Sequence, residues 1–179
     1  MSVTRREFAA RLAASLSALT LPATLLRAAK PQAELGISHS ADSIHQERVI
    51  KASPARVYEA LTDAKQFDGV AKLSDAMKTM SLKDNPSVIG KEPGGTFALF
   101  GGYVTGRQIE LVADTRIVQV WRAGSWPAGA FSLVTWKLAA EGNGTRLTLD
   151  HAGFPAGTVQ HLAEGWRDNY YAPLIKYLA

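Results

Sequence analysis

Apolar residues recur at offsets of three and four through the last stretch of the chain, Phe154 to Leu178. Val159, Leu162, Ala163, Trp166, Tyr170, Leu174 and Leu178 fall on one stripe of a helical period. The spacing predicts one long helix whose wide, aromatic face must lie against something apolar, either as the roof of a cavity or in a tight core. Pro155 stands just inside its start, where a missing N–H costs little. Pro173 falls inside the pattern and removes the bond to the carbonyl of Asn169, so a bend is expected over Asn169 to Ala172.

Upstream the pattern is different. Ser43 to Ala52 alternates loosely, with Ile44 and Ile50 in register and His45, Glu47 and Lys51 opposite, and reads as an edge strand. Ser53-Pro54 is an N-cap followed by proline at the first helical position, and Val57, Ala60 and Leu61 mark one face of the helix that follows. A second short helix is expected over Lys65 to Met77, with Phe67, Val70, Ala71 and Leu73 on its apolar side. Met80 to Pro93, punctuated by Pro86, Gly90 and Pro93, reads as a loop with a short strand.

From Gly94 onward the chain is β territory. Thr96 to Phe100, Tyr103 to Val112, Arg116 to Arg122, Ala130 to Ala139 and Thr145 to His151 are each of strand length, rich in β-branched and aromatic residues. Gly101-Gly102, Ala113-Asp114 and Gly142-Asn143-Gly144 supply turn chemistry, and the segment AGSWPAG between Arg122 and Ala130 reads as a longer loop. A strand, two short helices, an antiparallel meander and a terminal helix make an α+β fold. One face of that sheet needs cover, and the terminal helix is the element long enough to give it.

The opening residues are expected to stand apart from the fold. Thr4-Arg5-Arg6-Glu7-Phe8 matches a twin-arginine export signal, followed by an alanine-rich run from Leu12 to Leu26. That run is shorter than the roughly 20 apolar residues of a membrane span. Membrane contact is therefore expected only through the signal segment or in passing. Ala28, Ala29 and Ala33 are candidate cleavage ends, and the destination is the periplasm. The expected division is a signal segment over residues 1–30, a polar linker over 31–42 and a domain over 43–179.

This division changes the meaning of the charge. Residues 1–30 hold five basic groups (Arg5, Arg6, Arg11, Arg27 and Lys30) and one acid (Glu7). The whole-chain excess of +4 is thus theirs, and residues 31–179 balance at 15 of each sign. A neutral domain has no electrostatic footprint for nucleic acid. The chain has no cysteine, which excludes disulfides and thiolate chemistry. The four histidines, 39, 45, 151 and 161, show no metal-ligand spacing, and neither a P-loop nor a dinucleotide fingerprint occurs, so no metal and no cofactor is expected.

Several motifs in order carry a resemblance: ASPARVYEALTD (Ala52 to Asp63), PGGTF (Pro93 to Phe97), the Gly106 strand leading to the Trp121 strand, GTRLTLDHAGFP (Gly144 to Pro155) and Gly165-Trp166. Together they resemble the START/Bet v-like helix-grip superfamily, often called SRPBCC. Within it they are similar to the branch named for the activator of the heat-shock protein 90 ATPase. The resemblance covers Ser43 to Leu178. It implies a curved sheet wrapped around the last helix, with a cavity between them that the superfamily uses for lipids, sterols, polyketides and other hydrophobic molecules. Where the branch often carries a tryptophan in the second helix, this chain has Phe67-Asp68-Gly69.

A small hydrophobic ligand is accordingly the expected partner. Trp121, Trp166 and Tyr170 are candidates for the cavity wall, and Phe97 and Trp136 join them as apolar candidates. His151 ends its strand on the side of Leu147 and Leu149, inward, as a core histidine or a pocket group able to move a proton. Asp150 points the other way, so the two form no dyad. Arg107 shares parity with Tyr103, Ile109 and Leu111, and is a ligand anchor if that face is inner and a rim arginine otherwise. Three functions remain open. The first is an exported binding or carrier domain. The second is a cyclase or hydratase using His151 with Arg107 or Tyr170, which the residues favour less. The third, activation of a chaperone ATPase, rests on the branch name alone.

Overall fold

Buried residues alternate with more exposed ones along Arg116–Ala123 and along Ser132 to Leu138, and this alternation marks the face of the sheet that receives the terminal helix. A computed structural model describes residues 42–78 and 85–179. The expected signal segment and nearly all of the linker lie outside the described residues. Among those described, no helix is long and apolar enough to cross a membrane.

The first strand, β1 (Ser43–Ile50), is followed by helices α1 (Pro54–Thr62), α2 (Ala64–Ala71) and α3 (Asp75–Lys78). Strands β2 (Val88–Ile89), β3 (Thr96–Leu99), β4 (Val104–Val112), β5 (Arg116–Ala123), β6 (Ser132–Glu141) and β7 (Gly144–Ala152) come next. The chain closes with α4 (Val159–Trp166), a π-turn over Arg167–Tyr171 and α5 (Ala172–Leu178). The strands form one antiparallel sheet in the order β1-β7-β6-β5-β4-β3-β2. Its inner face is set by Ile117 and Trp121 on β5, Val134 and Trp136 on β6, and Leu147, Leu149 and His151 on β7, all buried. The expected α+β fold, with the sheet curved about the last helix, is the one observed.

Local signals account for the helix starts. Ser53 caps α1 by accepting from the Arg56 N–H, with Pro54 at its first turn. Asp63 caps α2 through the N–H groups of Lys65 and Gln66. The second helix does not run on to Met77 as its apolar pattern suggested. It stops at Ala71, Leu73 turns outward, and the fully buried Ser74 donates its hydroxyl to Asn169 Oδ1 at 2.5 Å. A tertiary hydrogen bond to the terminal helix is made at the break.

The terminal helix also departs from the simple period. It starts at Val159 rather than near Pro155, because the Pro155 carbonyl accepts from the Thr158 hydroxyl at 2.6 Å and closes a separate turn. The bend expected from Pro173 takes the form of the π-turn, in which the Ala172 N–H reaches back five residues to Arg167 O. The consequence is that Tyr170 and Tyr171, neighbours in sequence, are both buried, together with Trp166 and Leu174. Tyr171 donates to the backbone carbonyl of Gln46 on β1 at 3.1 Å, and Gln46 in turn donates to Ala163 O at 2.9 Å.

Gly106 on β4 has a packing reason. A Cβ there would run into the Val120 carbonyl oxygen and the Phe97 ring. Gly106→Ala is expected to cost about 1–3 kcal/mol or more, because backbone cannot step aside as a side chain can. A lowered melting temperature would show it, and an unchanged one would count against the close approach.

Candidate functional site

A cavity of about 440 Å³ opens between the terminal helix and the β4–β5 end of the sheet. Phe100, Val104 and Trp121 line it from the sheet side, and Leu162, Trp166 and Tyr170 from the helix. Its exposed end carries Tyr103, Ser125, Pro127 and His161. None of the lining residues is Asp, Glu, Lys or Arg. Such a space suits an apolar guest and offers nothing to balance a buried charge.

The wall is a continuous aromatic cluster. Trp166 lies with ring centroids 4.3 Å from Tyr170 and 5.4 Å from Trp121, while Trp121 meets Trp126 at 5.3 Å. Phe67 on α2 stands behind, 5.3 Å from Phe100 and 5.8 Å from Tyr170. Where the branch often has a tryptophan, this helix thus supports the wall with Phe67. Asp68 holds the Ser87 N–H, and Gly69 makes room for Tyr177, whose ring a Cβ would approach to 2.6 Å.

His151 sits behind the cavity wall, with no solvent exposure. Trp166 Nε1 donates to its Nδ1 at 2.9 Å, and its Nε2 meets Ser132 Oγ at 2.7 Å. An indole N–H can only donate, so Nδ1 is the acceptor and the ring proton belongs to Nε2. Ser132 Oγ then receives that proton's bond and passes its own hydrogen to the Trp121 carbonyl at 3.1 Å. The chain from Trp166 through His151 and Ser132 to Trp121 is satisfied at every link. Burial holds the imidazole neutral, with its pKa pushed down to about 3. Both nitrogens are engaged within the protein, so a proton-transferring role finds no free one.

The sequence candidates fall in three places. Trp121, Trp166 and Tyr170 line the cavity. Trp136 is buried beneath it, 5.4 Å from Trp166 and 5.7 Å from Tyr171, and His151 lies in the same inner layer. Phe97 and Arg107 border a shallower groove formed with Val88, Val120 and Phe131, away from the cavity. Arg107 is exposed and donates to the Gly94 carbonyl, the rim arrangement of the two that its parity left open. Asp150 faces outward to His45 and Lys137 at 2.6 and 2.8 Å, and the Lys137 ammonium first, then His45, lowers its pKa.

Sequence reasoning assigned no cavity role to Phe100, Trp126 or Asn169. Trp126 comes from the AGSWPAG loop, which Arg122 clamps by donating to the carbonyls of Pro127 at 2.6 Å and Trp126 at 2.8 Å. A tryptophan amid small residues was the available signal. Phe100 occupies a left-handed conformation, with φ of 52°, after β3 ends, which periodicity does not register. Among the described residues, no group of three or more His, Asp or Glu side chains could hold a metal.

A curved antiparallel sheet closed by a terminal helix, with an apolar space between them, is the helix-grip architecture. The chain belongs to the family described as Activator of Hsp90 ATPase homolog 1-like protein, whose profile matches residues 51–179. Among curated relatives, the activator of 90 kDa heat shock protein ATPase homolog 1 of Homo sapiens is 31% identical over 86 residues, 48% of this chain and 25% of the relative. The corresponding Dictyostelium discoideum protein is 34% identical over 93 residues, 51% of this chain and 24% of its own length. The chain thus spans about a quarter of these relatives. Solved structures share the fold. An HSP90 activator from Plasmodium falciparum aligns at a TM-score of 0.61 and 23% identity over 76% of this chain and 92% of that one. CalU16 from Micromonospora echinospora aligns at 0.62 and 23%, over 78% and 77%.

Proposed function

We propose that this chain is an exported binding or carrier domain for a small hydrophobic molecule held between the sheet and the terminal helix. The observation that carries the reading is the cavity of about 440 Å³, walled by aromatic rings and free of charged side chains. Its size falls within the few hundred to about a thousand Å³ typical of small-molecule sites. Export rests on Arg5-Arg6 and the apolar run after them. The His151 arrangement supports binding over cyclase or hydratase chemistry, since its nitrogens are spent on fixing Trp166 and Trp121.

The test is native mass spectrometry of the protein recovered from the periplasm, followed by organic extraction. A bound molecule that is released on unfolding is the expected result. Protein that emerges empty and takes up no apolar probe would overturn the reading. In the same preparation, stimulation of a 90 kDa heat-shock protein ATPase is expected to be absent.

A further inference from the structure

The outer face of the sheet, opposite the terminal helix, is divided by charge. At the end near the β4–β5 turn its carboxylates have cations beside them: Glu110 pairs with Arg116, Asp150 with Lys137 and Glu47 with Arg146. The opposite end, where β5 leaves for the loop before β6, is apolar. Val88, Phe131 and Leu133 there are 58%, 52% and 47% exposed. Val88 and Phe131 border the groove with Val120 and Arg107, and Leu133 stands opposite Val120 in the register of β5 and β6, on the same face. The two arginines on this stretch of the sheet meet no carboxylate among the described residues. Arg107 donates to the Gly94 carbonyl, and Arg122 to the carbonyls of Trp126 and Pro127. Neutral carbonyls satisfy their hydrogens and leave their positive charge without a counter-ion.

An apolar patch beside an unneutralised cation fits an occupant that is apolar with anions at its boundary. A second copy of the chain, patch to patch, would set the same arginines against each other. The few residues of the groove also fall short of the roughly 20–30 a side that a stable protein interface uses. The loop between β5 and β6 ties the patch to the cavity. Trp126 and Pro127 line the cavity, and Phe131, where the loop ends, borders the groove. Pro127 and Phe131 are four residues apart, so even an extended chain separates them by no more than about 14 Å. A surface resting on Phe131 thus stands beside the mouth. A guest suited to the cavity dissolves poorly in water, and its natural reservoir is a bilayer. We infer that the patch of Val88, Phe131 and Leu133, with Arg107 beside it, docks the protein reversibly on an anionic lipid surface, from which the cavity loads. The loading rests on the binding reading above; the docking stands on the patch itself.

The test is flotation of the protein recovered from the periplasm with vesicles of phosphatidylcholine alone and of an equal mixture with phosphatidylglycerol. Binding to the anionic vesicles that salt weakens, with little to the neutral ones, is the expected result. Arg107→Gln is expected to lower it about fivefold, the worth of one basic side chain at an anionic surface. Phe131→Ser is expected to lower it severalfold through lost apolar contact. Uptake of N-phenylnaphthylamine from vesicle-free solution, read by its fluorescence, is expected to be unchanged in both variants, since neither side chain lines the cavity. Absence of flotation while the probe is still taken up would overturn the docking and leave the cavity reading standing. Equal flotation with both kinds of vesicle would overturn the anionic surface, and flotation undiminished in either variant would overturn the patch as the contact. A wild-type dimer that Phe131→Ser dissociates, seen by sedimentation, would give the patch to a second copy and overturn lipid docking. Protein that floats but takes up no probe would overturn the loading together with the cavity reading and leave the docking in place.

Discussion

Trp166→Ala is expected to lower the unfolding free energy by about 3–5 kcal/mol. Trp166 is 2% exposed and packs on Trp121, Trp136 and Tyr170, so its truncation opens a hole between helix and sheet. It also strips His151 Nδ1 of its donor. Urea denaturation should show the loss as a lower midpoint at constant slope. Trp166→Phe separates the two contributions, since it keeps most of the ring area and loses the N–H; about 1–3 kcal/mol is expected for it. A loss well below about 1 kcal/mol for the alanine variant, with ligand affinity abolished, would mark Trp166 as cavity wall alone.

Acid should unfold the domain through His151 before the carboxylates take part. The imidazole is neutral in the folded state down to a pH of about 3, whereas in the unfolded chain it takes up a proton near its ordinary value of 6.5. Between those two values the unfolded state holds one proton more, so stability rises with pH. The contribution is fully present above 6.5 and is lost as pH falls toward 3, at up to about 1.4 kcal/mol per pH unit. There is a structural side to the same event. A protonated ring would carry a hydrogen on Nδ1, facing the Trp166 N–H, and two donors cannot bond to each other. Asp63, Asp150 and Asp168 have lowered values, so their share is lost as pH falls from the ordinary carboxylate value, where the unfolded chain takes up their protons, toward the lower folded values. Chemical denaturation from pH 7 to pH 4 measures the slope. His151→Gln should flatten it, and a wild-type profile already flat over that range would contradict the buried neutral histidine.

Much of the fold was legible along the chain because its signals are local. The Ser53-Pro54 start, the meander and the inward side of β7 each follow from neighbours a few residues apart. The division of the second helix was not legible, since Ser74 leaves the helical pattern where it bonds Asn169, 95 residues away. The π-turn lay between the two cases. Pro173 announced a disturbance, but which residues it would turn inward depended on the sheet that Tyr170 and Tyr171 had to meet.

The candidate site divides in the same way. Parity fixed that His151 points inward, and parity alone left Arg107 undecided, because which face of β4 is inner is chosen by the packing of β3 and β5 around it. Sequence by itself determined the order of elements and the apolar stripe of the last helix, since both follow from short-range periodicity. Only the tertiary structure decided that this stripe leaves a space above Trp121 and that Phe100 and Trp126 help to close it. A cavity is a property of surfaces brought together from distant segments, and no single segment carries its record.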